Sequence, residues 1–389
     1  MKLYKKHISD LGKVITGKTP RTFILENYGG KIPFLTPSDN LSEKFSPTTS
    51  KTLTKIGLNE VKNCLLPSKS IRVSCIGSDL GKVVLTKKPT VTNQQFNSIV
   101  PNEENDADFI YYLMTVVGKH LNYLSKTSTA VPIINKSTFA NYEIEIPNIK
   151  EQKRIGKILS SLDDKIELNR RINDNLEQQA QALFKYYFID TPELLGEFSV
   201  GSLADAANYV NGLAMQKYRP ISGEKGLPVL KIKELGQGRI DSSSDFCSNE
   251  IDSYYKVYDG DVIFSWSGTL MVKIWCGGKC GLNQHLFKVS SKTTPKWFYY
   301  FWTKHHLDNF IRIAKDKAVT MGHIKREELE KAEVLFPNNS VMKKLDTLMA
   351  PFLDQIIEKE CEIRILALLR DTLLPKLISG ELVINDINN

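Results

Sequence analysis

The chain has 389 residues, a length that suits two globular domains with connecting segments better than one core. Hydrophobic residues make up 41% and charged residues 25%, as in ordinary folded proteins, and the absence of any run of eighteen apolar residues excludes a membrane span. The net charge is +8 and falls mostly in residues 1–147, where 19 Lys and Arg stand against 12 Asp and Glu. This basic half favours a polyanionic partner, and a solubilising surface is the alternative that charge alone leaves open.

The N-terminal residues and the cysteines bear on the cellular compartment. The stretch from Met1 to His7 turns polar too early for a secretory signal. The six cysteines are scattered and do not recur between the two halves, which argues against a disulfide framework. We therefore expect a reducing, cytoplasmic location and no membrane association.

The most informative feature is an internal repeat. The first half contains Leu11 to Gly17 and then Pro33, and the second contains Leu203 to Gly212 and then Pro228. Later matches keep the same order: Asn93-Gln94 with Asn283-Gln284, Tyr111-Tyr112 with Tyr299-Tyr300, and Pro147-Asn148 with Pro337-Asn338. From the prolines onward the offsets are 195, 190, 188 and 190. Such a repeat predicts two similar faces related by a pseudo-two-fold axis, a geometry suited to a two-part target.

Residues 1–147 and 191–337 are predicted to be the two globular domains, built from short strands, turns and a few helices. Each is expected to contain one hairpin, formed by Ile71–Cys75 with Lys82–Leu85 and by Val262–Trp266 with Met271–Trp275. Helical spacing over 108–120 and 295–313 predicts helices whose aromatic side chains belong to the core.

Between and after these domains the sequence predicts two long helices, 148–190 and 338–378, followed by a tail at 379–389. Their heptad pattern over five repeats predicts an antiparallel coiled coil. The seam is predicted to contain Ile155, Leu162, Asn169, Leu176 and Leu183 from the first helix, and Leu345, Phe352, Lys359, Leu366 and Leu373 from the second. A further line is expected three residues after the first, at Ile158, Lys165, Ile172, Gln179 and Tyr186.

Two residues of the seam are polar and occupy equivalent central positions. If the helices are antiparallel their midpoints meet, so Asn169 and Lys359 are expected to form a hydrogen bond or to lie within a turn of each other. Pro351 removes one backbone hydrogen bond, so a kink or a restart of the second helix is expected near Ala350.

Residues 12–19 match the phosphate-loop pattern, a glycine, four residues and Gly-Lys-Thr, with Lys18 as the phosphate ligand. The residues before it form a poor buried strand, Pro20 follows at once, and the second copy lacks the Lys and Thr. A phosphate-loop ATPase that uses Lys18 therefore remains an alternative rather than the main prediction.

Other catalytic or metal-binding motifs are weak. Cys276, Cys280 and His285 could supply part of a zinc site, but four ligands are needed and no second cysteine pair has suitable spacing. The loop of amino-methyltransferases (Asn/Asp-Pro-Pro-Tyr/Phe) is absent, and no nuclease cluster of carboxylates is identifiable. The sequence indicates a protein that reads a target without a catalytic centre, a metal or a cofactor of its own.

The sequence resembles the specificity subunits of type I restriction–modification systems over nearly its whole length. The motifs that carry the resemblance are the glycine-containing start at Leu11–Thr19, Thr92–Gln94, Ser128–Lys136, the Glu151–Ile155 segment after Pro147-Asn148, and the ending Leu373–Leu382. The resemblance implies an α+β fold of two similar target-recognition domains, each reading one half of a split, asymmetric DNA sequence, separated by two long helices.

The resemblance also implies partners. These are double-stranded DNA, two methyltransferase subunits that carry S-adenosylmethionine and adenine-N6 chemistry, and two restriction subunits that use ATP and Mg²⁺ to translocate and cleave DNA. None of these activities or cofactors is expected in this chain. A coiled-coil adaptor that binds only proteins is a further alternative, and it predicts no salt-dependent affinity for duplex DNA.

Loop residues that can bond to base edges or phosphates are the candidates for DNA contact. In the first domain these are Lys18, Arg21, Ser78, Asn93, Gln94, Thr127, Ser128 and Lys136. In the second they are Lys217, Tyr218, Arg219, Ser267, Thr269, Asn283, Gln284, Lys317 and Lys325. Because the Asn-Gln pairs recur in both domains, they could instead be structural caps of a shared turn, whereas specificity should lie in loops that differ, such as 217–219.

Overall fold

The computed structural model describes residues 1–45, 48–126, 133–316 and 324–384. Internal contacts divide the chain into two compact units: unit 1 comprises Met1–Lys165 and Leu366–Asn389, and unit 2 comprises Ile166–Ile365. Both units have an α+β fold. Within the described residues, no helix is long and apolar enough to cross a membrane.

Unit 1 is built on three small sheets. Its strands are β1 (Tyr4–His7), β2 (Gly12–Thr16), β3 (Tyr28–Leu35), β4 (Lys51–Leu53), β5 (Ile71–Ser74), β6 (Val83–Leu85), β7 (Val91–Thr92), β8 (Phe96–Pro101) and β9 (Glu143–Ile146). Its helices are α1 (Lys55–Glu60), α2 (Ala107–Lys126), α3 (Lys136–Ala140) and the first part of α4 (Ile149–Lys185). The strand orders are β2-β8-β5-β6, β4-β3-β7 and β1-β9.

The core of unit 1 lies between α2 and the β2-β8-β5-β6 sheet. Phe109 and Tyr112 of α2 are almost fully buried in one cluster with Ile71 and Ile99 of the sheet. Strands β5 and β6 pair antiparallel with Ile71 opposite Leu85, which confirms the first predicted hairpin. The aromatic side chains of α2 are core residues, as predicted, because the helix turns them towards an apolar sheet face.

Unit 2 repeats this plan with additions. Its strands are β10 (Phe198–Ser202), β11 (Asn208–Asn211), β12 (Leu227–Leu230), β13 (Phe246–Cys247), β14 (Lys256–Val257), β15 (Asp261–Ser265), β16 (Met271–Trp275), β17 (Cys280–Leu282), β18 (Leu286–Ser290) and β19 (Glu333–Pro337). Its helices are α5 (Leu203–Ala206), α6 (Ile232–Gln237), α7 (Lys296–His305), α8 (Leu307–Asp316), α9 (Arg326–Glu330) and most of α10 (Asn339–Ser379). The strand orders are β11-β18-β15-β16, β13-β12-β17-β14 and β10-β19.

The second predicted hairpin is confirmed by the antiparallel β15–β16 pair. The segment 295–313, predicted as helical, is divided between α7 and α8 at His306. The imidazole Nε2 of His306 lies 2.8 Å from the carbonyl oxygen of Glu333, and this contact holds the chain at the break. The aromatic side chains of α7, including Trp297 and Phe301, are buried in the core of unit 2, as predicted.

The two long helices were correctly predicted from the heptad pattern, at Ile149–Lys185 and Asn339–Ser379. Of the kink or restart expected near Ala350, the restart is wrong, because α10 is continuous through Pro351; the kink stays a prediction. Pro351 is exposed, so the carbonyl that loses its helical partner can be hydrated. On either side of it Met349 and Leu353 are buried and hold the helix against the core.

The helices pair antiparallel, as unit 2 illustrates. The side-chain Nδ2 of Asn173 donates to Glu360 Oε1 over 2.8 Å, while Ala180, further along α4, shares a core cluster with Met349, earlier in α10. Rising numbers on one helix therefore meet falling numbers on the other.

The predicted seam is partly right. Ile155, Asn169 and Leu345 are buried, whereas the other members are half-buried: Leu162, Leu176, Leu183, Phe352, Lys359, Leu366 and Leu373. The second line is wrong by one position, because the buried residues come four after the first line, not three: Leu159, Ile166, Asn173 and Ala180. Seam positions in a heptad are separated alternately by three and four residues. A spacing of three instead of four places the second line of residues on the flank of the helix, beside the buried seam.

Of the two arrangements predicted for Asn169 and Lys359, the hydrogen bond is not formed, while their lying within a turn of each other stays a prediction. Among the described residues, neither polar atom of the fully buried Asn169 side chain has a hydrogen-bond partner. The ammonium of Lys359 binds Glu362 at 3.1 Å and Glu358 at 3.3 Å on its own helix instead. Carboxylates within one turn satisfy the lysine better than a neutral amide would.

Candidate nucleic-acid interface

Four loops of unit 1 meet at one end of the β2-β8-β5-β6 sheet, and we call this surface the unit 1 loop edge (residues 17–27, 75–78, 93–95 and 133–136). Backbone hydrogen bonds join the loops. The N–H of Gly17 donates to Phe96 O at 3.1 Å, that of Cys75 to Gln95 O at 2.8 Å, and that of Ile134 to Cys75 O at 2.9 Å. The strands end here because their antiparallel order brings the end of β2 and β5 beside the start of β8.

Unit 2 forms the same arrangement, the unit 2 loop edge (residues 212–221, 266–270, 283–285 and 324–326). The N–H of Gly212 donates to Leu286 O at 3.1 Å and that of Ile324 to Trp266 O at 3.1 Å. The repeat in the sequence therefore encodes a repeated set of backbone contacts in each unit.

The recurring glycines have a steric cause. A Cβ on Gly17 would lie 2.1 Å from the carbonyl oxygen of Asn93, and a Cβ on Gly212 would lie 2.3 Å from that of Asn283. No side chain can be placed there unless the loop moves. The close approach of two backbones explains why both halves keep glycine at this point.

The recurring asparagines stabilise the turns. Asn93 Oδ1 accepts from the N–H of Gln95 at 3.1 Å, and Asn283 Oδ1 accepts from the N–H of His285 at 3.2 Å. Asn283 is also 7% exposed, which leaves it little surface for a base. These contacts favour the structural interpretation of the recurring pair.

Gln94 differs from its neighbour because it is exposed. Its Oε1 accepts from the Thr19 hydroxyl at 2.7 Å, which joins the first and third loops of unit 1. Gln284 of unit 2 is half-buried, and its Nε2 lies 3.3 Å from His285 Nε2. Thr19, which directly follows Lys18, is thus part of the loop edge although it is not among the predicted contact residues.

Two predicted cations of unit 1, Lys18 and Lys136, are 118 residues apart in the sequence, yet both act electrostatically on Cys64. Burial raises the pKa of the Cys64 thiol, while the charges of Lys18 and Lys136 act on it in the opposite direction. Both lysines are exposed, and α3 begins at Lys136 behind its N-cap, Asn135. The fold thus concentrates positive charge beside the loop edge.

Arg21 is exposed but paired. Its backbone N–H donates to Glu60 Oε2 at 3.0 Å and its guanidinium to Oε1 at 2.9 Å. These hydrogen bonds lower the pKa of Glu60 to about 2. The pairing reduces the charge that Arg21 can offer to an anion, so its stronger role is to fix the loop.

In unit 2 the predicted residues that differ from unit 1 are exposed, as a DNA contact requires. They are Lys217, Tyr218, Arg219, Thr269 and Lys325, and in unit 1 Ser78 is also exposed. Ser267 is 5% exposed and is poorly placed for contact. Thr127, Ser128 and Lys317 lie outside the described residues.

Sequence reasoning missed Arg326. The backbone contact of Ile324 matches that of Ile134, an offset of 190, so Arg326, not Lys325, is the counterpart of Lys136. Lys325 is the N-cap of α9, the position that Asn135 holds before α3. Counting from the conserved backbone contact would have identified Arg326, which is exposed.

Unit 2 also has a cavity of about 350 Å³ beside its loop edge. The charged residues of its lining are Arg219, Lys231 and Asp245, and Phe246 supplies an aromatic face. Lys231 binds Asp245, and the charges of Lys231 and Arg219 both lower the pKa of this carboxyl. The cavity places positive and negative groups side by side, so it can donate hydrogen bonds to the edge of a base pair and accept them from it.

The phosphate-loop alternative is not supported by the local structure. Gly12–Thr16 is a strand paired with β8, not a loop before a helix. The N–H of Lys18 donates to Thr92 O at 2.9 Å, and a short 3-10 turn at Leu25–Asn27 is the next helical element. A phosphate needs free N–H groups at a helix N-terminus, which this geometry lacks.

The cysteines considered for zinc are buried in unit 2. Burial raises the pKa of both Cys276 and Cys280, which disfavours the thiolate that a metal needs. Within the part of the chain that the structure describes, no group of three or more His, Cys, Asp or Glu side chains is placed to hold a metal ion.

The sequence matches the family described as "Type I restriction modification DNA specificity domain" twice, at residues 2–178 and 196–367. The chain is 29% identical to the type I restriction enzyme MjaIX specificity subunit of Methanocaldococcus jannaschii, over 98% of this chain and 94% of that protein. It is 36% identical to the HindI specificity subunit of Haemophilus influenzae over 43% of this chain and 38% of that protein.

Among solved structures, the chain is similar to the S subunit of a type I restriction–modification system from M. genitalium. The TM-score is 0.59 at 16% identity, with 97% of this chain and 96% of that chain covered. At this level of identity the similarity concerns the fold.

Proposed function

Because this chain belongs to the type I restriction–modification DNA specificity family, we propose that its two units read the two halves of one bipartite, asymmetric DNA sequence. The chain is a specificity subunit, and its role is DNA recognition. The observation that carries the proposal is the loop edge, which recurs in both units with the same backbone contacts but different exposed side chains.

Some residues of the loop edge hold its loops together, and others contact the DNA bases. The first group, the framework, must be the same in both units and includes Gly17, Gly212 and the asparagine turns. Sequence is read by exposed side chains that the units do not share. These are Gln94 in unit 1, whose counterpart Gln284 is half-buried, and residues 217–219 in unit 2. Lysines contact phosphates and position the duplex, while amides and guanidiniums can read base edges.

We further propose that the long helices bind the methyltransferase subunits. In support, α10 exposes three large apolar side chains on one face, with Ile365 61%, Leu368 67% and Leu369 44% exposed. Spacings of three and four residues place them side by side, as in a helix that packs on a partner. Three large apolar side chains that are exposed to water on one helix face favour burial against a protein partner.

In this proposal the chemistry belongs to the partners. Two methyltransferase subunits would carry S-adenosylmethionine for adenine-N6 methylation, and two restriction subunits would carry ATP and Mg²⁺. This chain would bind none of these cofactors and would act in the cytoplasm, where it meets DNA. Its contribution is to choose the site and to assemble the complex.

Single-molecule sequencing of the host methylome, with and without this chain, tests the proposal. We expect deletion to abolish one split, asymmetric N6-methyladenine motif and to leave every other motif intact. Restoring the chain from a plasmid should restore the same motif. An unchanged methylome in a host that expresses its methyltransferase partner would contradict the proposal.

A further inference from the structure

Unit 1 presents two large apolar side chains to water on one short loop. Phe23 is 78% and Leu25 is 81% exposed, and both lie in the first loop of the unit 1 loop edge. Single exposed apolar residues are common on proteins, but two of this size on one loop tip are not explained by the fold. We call this pair the unit 1 tip.

The loop that carries the tip is held firmly. At its start, the N–H of Lys18 donates to Thr92 O at 2.9 Å, and the Tyr28 hydroxyl binds Pro20 O at 2.8 Å. Arg21 is fixed by Glu60, and Asn27 Nδ2 donates to Arg21 O at 3.1 Å. With its base fixed, the loop cannot turn the tip into the core, so the exposure is built into the structure.

Unit 2 has the same feature at the same place in the repeat. Tyr218 follows Phe23 by 195 residues, which is also the offset from Gly17 to Gly212. Tyr218 is 41% and Ile221 is 71% exposed, so an aromatic and an aliphatic side chain again reach solvent. This loop is also fixed, because the N–H of Ile221 donates to Glu224 Oε2 at 3.0 Å.

The charge around the unit 1 tip favours a nucleic acid as the group that covers it. Residues 12–62 contain eight Lys and Arg and four Asp and Glu. Lys18 precedes the tip in the same loop, and Lys18 and Lys136 both act electrostatically on Cys64. Glu26 directly follows Leu25, so the cation of this loop lies on the N-terminal side of the tip. An apolar protrusion with an exposed lysine on one side matches a duplex, whose phosphates surround stacked apolar bases.

We propose that Phe23 and Leu25 form a wedge that inserts between two base pairs at the half-site of unit 1 and unstacks them. The inference rests on the proposed function, since it places the wedge in the DNA that the loop edge reads. Lys18 and Lys136 would hold the flanking phosphates, and the fixed loop would insert the side chains without first being ordered. The energy needed to unstack a step depends on its sequence, so the wedge would add specificity at bases that no polar group contacts.

The test uses the complex of this chain with its methyltransferase subunits and duplexes that carry the target sequence. 2-Aminopurine, whose fluorescence rises on unstacking, is placed in turn at each position of the half-site and its flanks. The wild-type complex should increase the fluorescence at one step, and the F23A/L25A double variant should not. Affinity should fall by roughly tenfold to a hundredfold, because two large apolar groups lose their buried environment.

Tyr4→Ala is the matched control, because Tyr4 is 43% exposed on β1, which pairs with β9 and not with the loop-edge sheet. It should bind and unstack DNA as the wild type does. Sequence-specific binding without any fluorescence increase, and with equal affinity for F23A/L25A, would overturn the wedge and leave the proposed function intact. Loss of methyltransferase binding by F23A/L25A in the absence of DNA would also overturn it, by assigning the tip to a protein contact. If the wild-type complex bound DNA without sequence preference, the proposed function would fail instead.

Discussion

In each unit a helix rich in aromatic residues, α2 or α7, is hydrogen-bonded to the long helix α4. The donor is a tyrosine hydroxyl in both units, but the acceptor carboxylate differs. In unit 1 the Tyr112 hydroxyl of α2 donates to Asp163 of α4, and Arg370 of α10 binds the same carboxylate at 2.6 Å. The buried carboxylate thus has one neutral and one cationic partner. The tyrosine lies on α2 and the arginine on α10, so the carboxylate of α4 links three helices of the unit.

In unit 2 the Tyr300 hydroxyl of α7 donates to Glu177 of α4 at 2.8 Å. The cation is Lys304, which lies on the same helix as the tyrosine rather than on α10. The tyrosine recurs with the repeat, whereas the acid and its cation have been replaced. The comparison indicates that duplication preserved the framework and left the surrounding charges free to diverge.

The largest effect is expected from removing the acid of unit 1. Asp163→Ala should lower the free energy of unfolding by about 2–3 kcal/mol, because it leaves the buried Tyr112 hydroxyl without an acceptor and the partly buried guanidinium of Arg370 with Asp371 alone. Glu177→Ala should cost only about 1–2 kcal/mol, since both Glu177 and Lys304 have access to water. Urea unfolding followed by circular dichroism measures both, and equal losses would contradict the distinction.

The glycines of the two loop edges provide a matched pair. Gly17→Ala and Gly212→Ala should each destabilise the protein by about 1–3 kcal/mol, because the new Cβ meets a carbonyl oxygen. Each should also disturb recognition of only its own half-site. Thermal unfolding combined with methylome sequencing checks this, with Gly236→Ala as a control, because Gly236 has no positive φ and its Cβ would only meet Met271 Cε at 3.8 Å. Loss of both half-sites from one substitution would break the assignment of one unit to one half.

The seam differs between the units, which predicts a stabilising substitution. In unit 1 the buried polar side chains of the long helices, Gln152 and Asp163, are hydrogen-bonded, whereas in unit 2 the buried amide of Asn169 has no partner among the described residues. Asn169→Leu should raise the free energy of unfolding by about 1–2 kcal/mol, because its amide is buried without a partner. Asn173→Leu should gain less, since it forfeits the bond to Glu360. A destabilised Asn169→Leu variant would show that the amide has a partner in the assembled protein.

The acid of unit 2 predicts a pH dependence. Burial would raise the pKa of Glu177, but the hydrogen bond and charge of Lys304 and the Tyr300 hydroxyl outweigh it and lower the pKa below its ordinary 4.5. A carboxyl with a lowered pKa in the folded state stabilises the protein above the unfolded pKa, and this stabilisation is lost as the pH falls through the folded pKa. The difference in unfolding free energy between wild type and Glu177→Gln should therefore be constant at neutral pH and shrink below about pH 4.5. A difference that grows on acidification would contradict the assignment.

The smallest effect concerns DNA affinity at the unit 1 loop edge. Lys18→Ala and Lys136→Ala should each weaken binding to all sequences alike and reduce the salt slope of log K by about 0.9. Lys5→Ala should change neither, because Lys5 is paired with Glu143 at 3.0 Å on the β1–β9 ladder. Binding titrations between low and high salt measure the slopes, and an unchanged slope for Lys18→Ala would remove it from the phosphate contacts.

The sequence alone predicted the features that depend on short-range residue patterns and on the internal repeat. Heptads and alternation located the long helices and both hairpins, and the paired glycines and asparagines marked the loop edges. It could not predict contacts that depend on long-range packing. Glu60 pairs with Arg21 across 39 residues, and Lys18 and Lys136 come within electrostatic reach of Cys64 only through the fold. The break between α7 and α8 at His306 likewise depends on a contact with the carbonyl oxygen of Glu333 in β19.

If each unit reads its own half of one DNA sequence, substituting the variable loop of unit 2 is the most direct test. Lys217, Tyr218 and Arg219 are replaced by alanine together, and the methylome of the host is sequenced with the wild-type and the altered chain. The half-site read by unit 1 should stay unchanged while the other half becomes relaxed or shifts to different bases. Altered bases in both halves, or a fully unchanged motif, would contradict it.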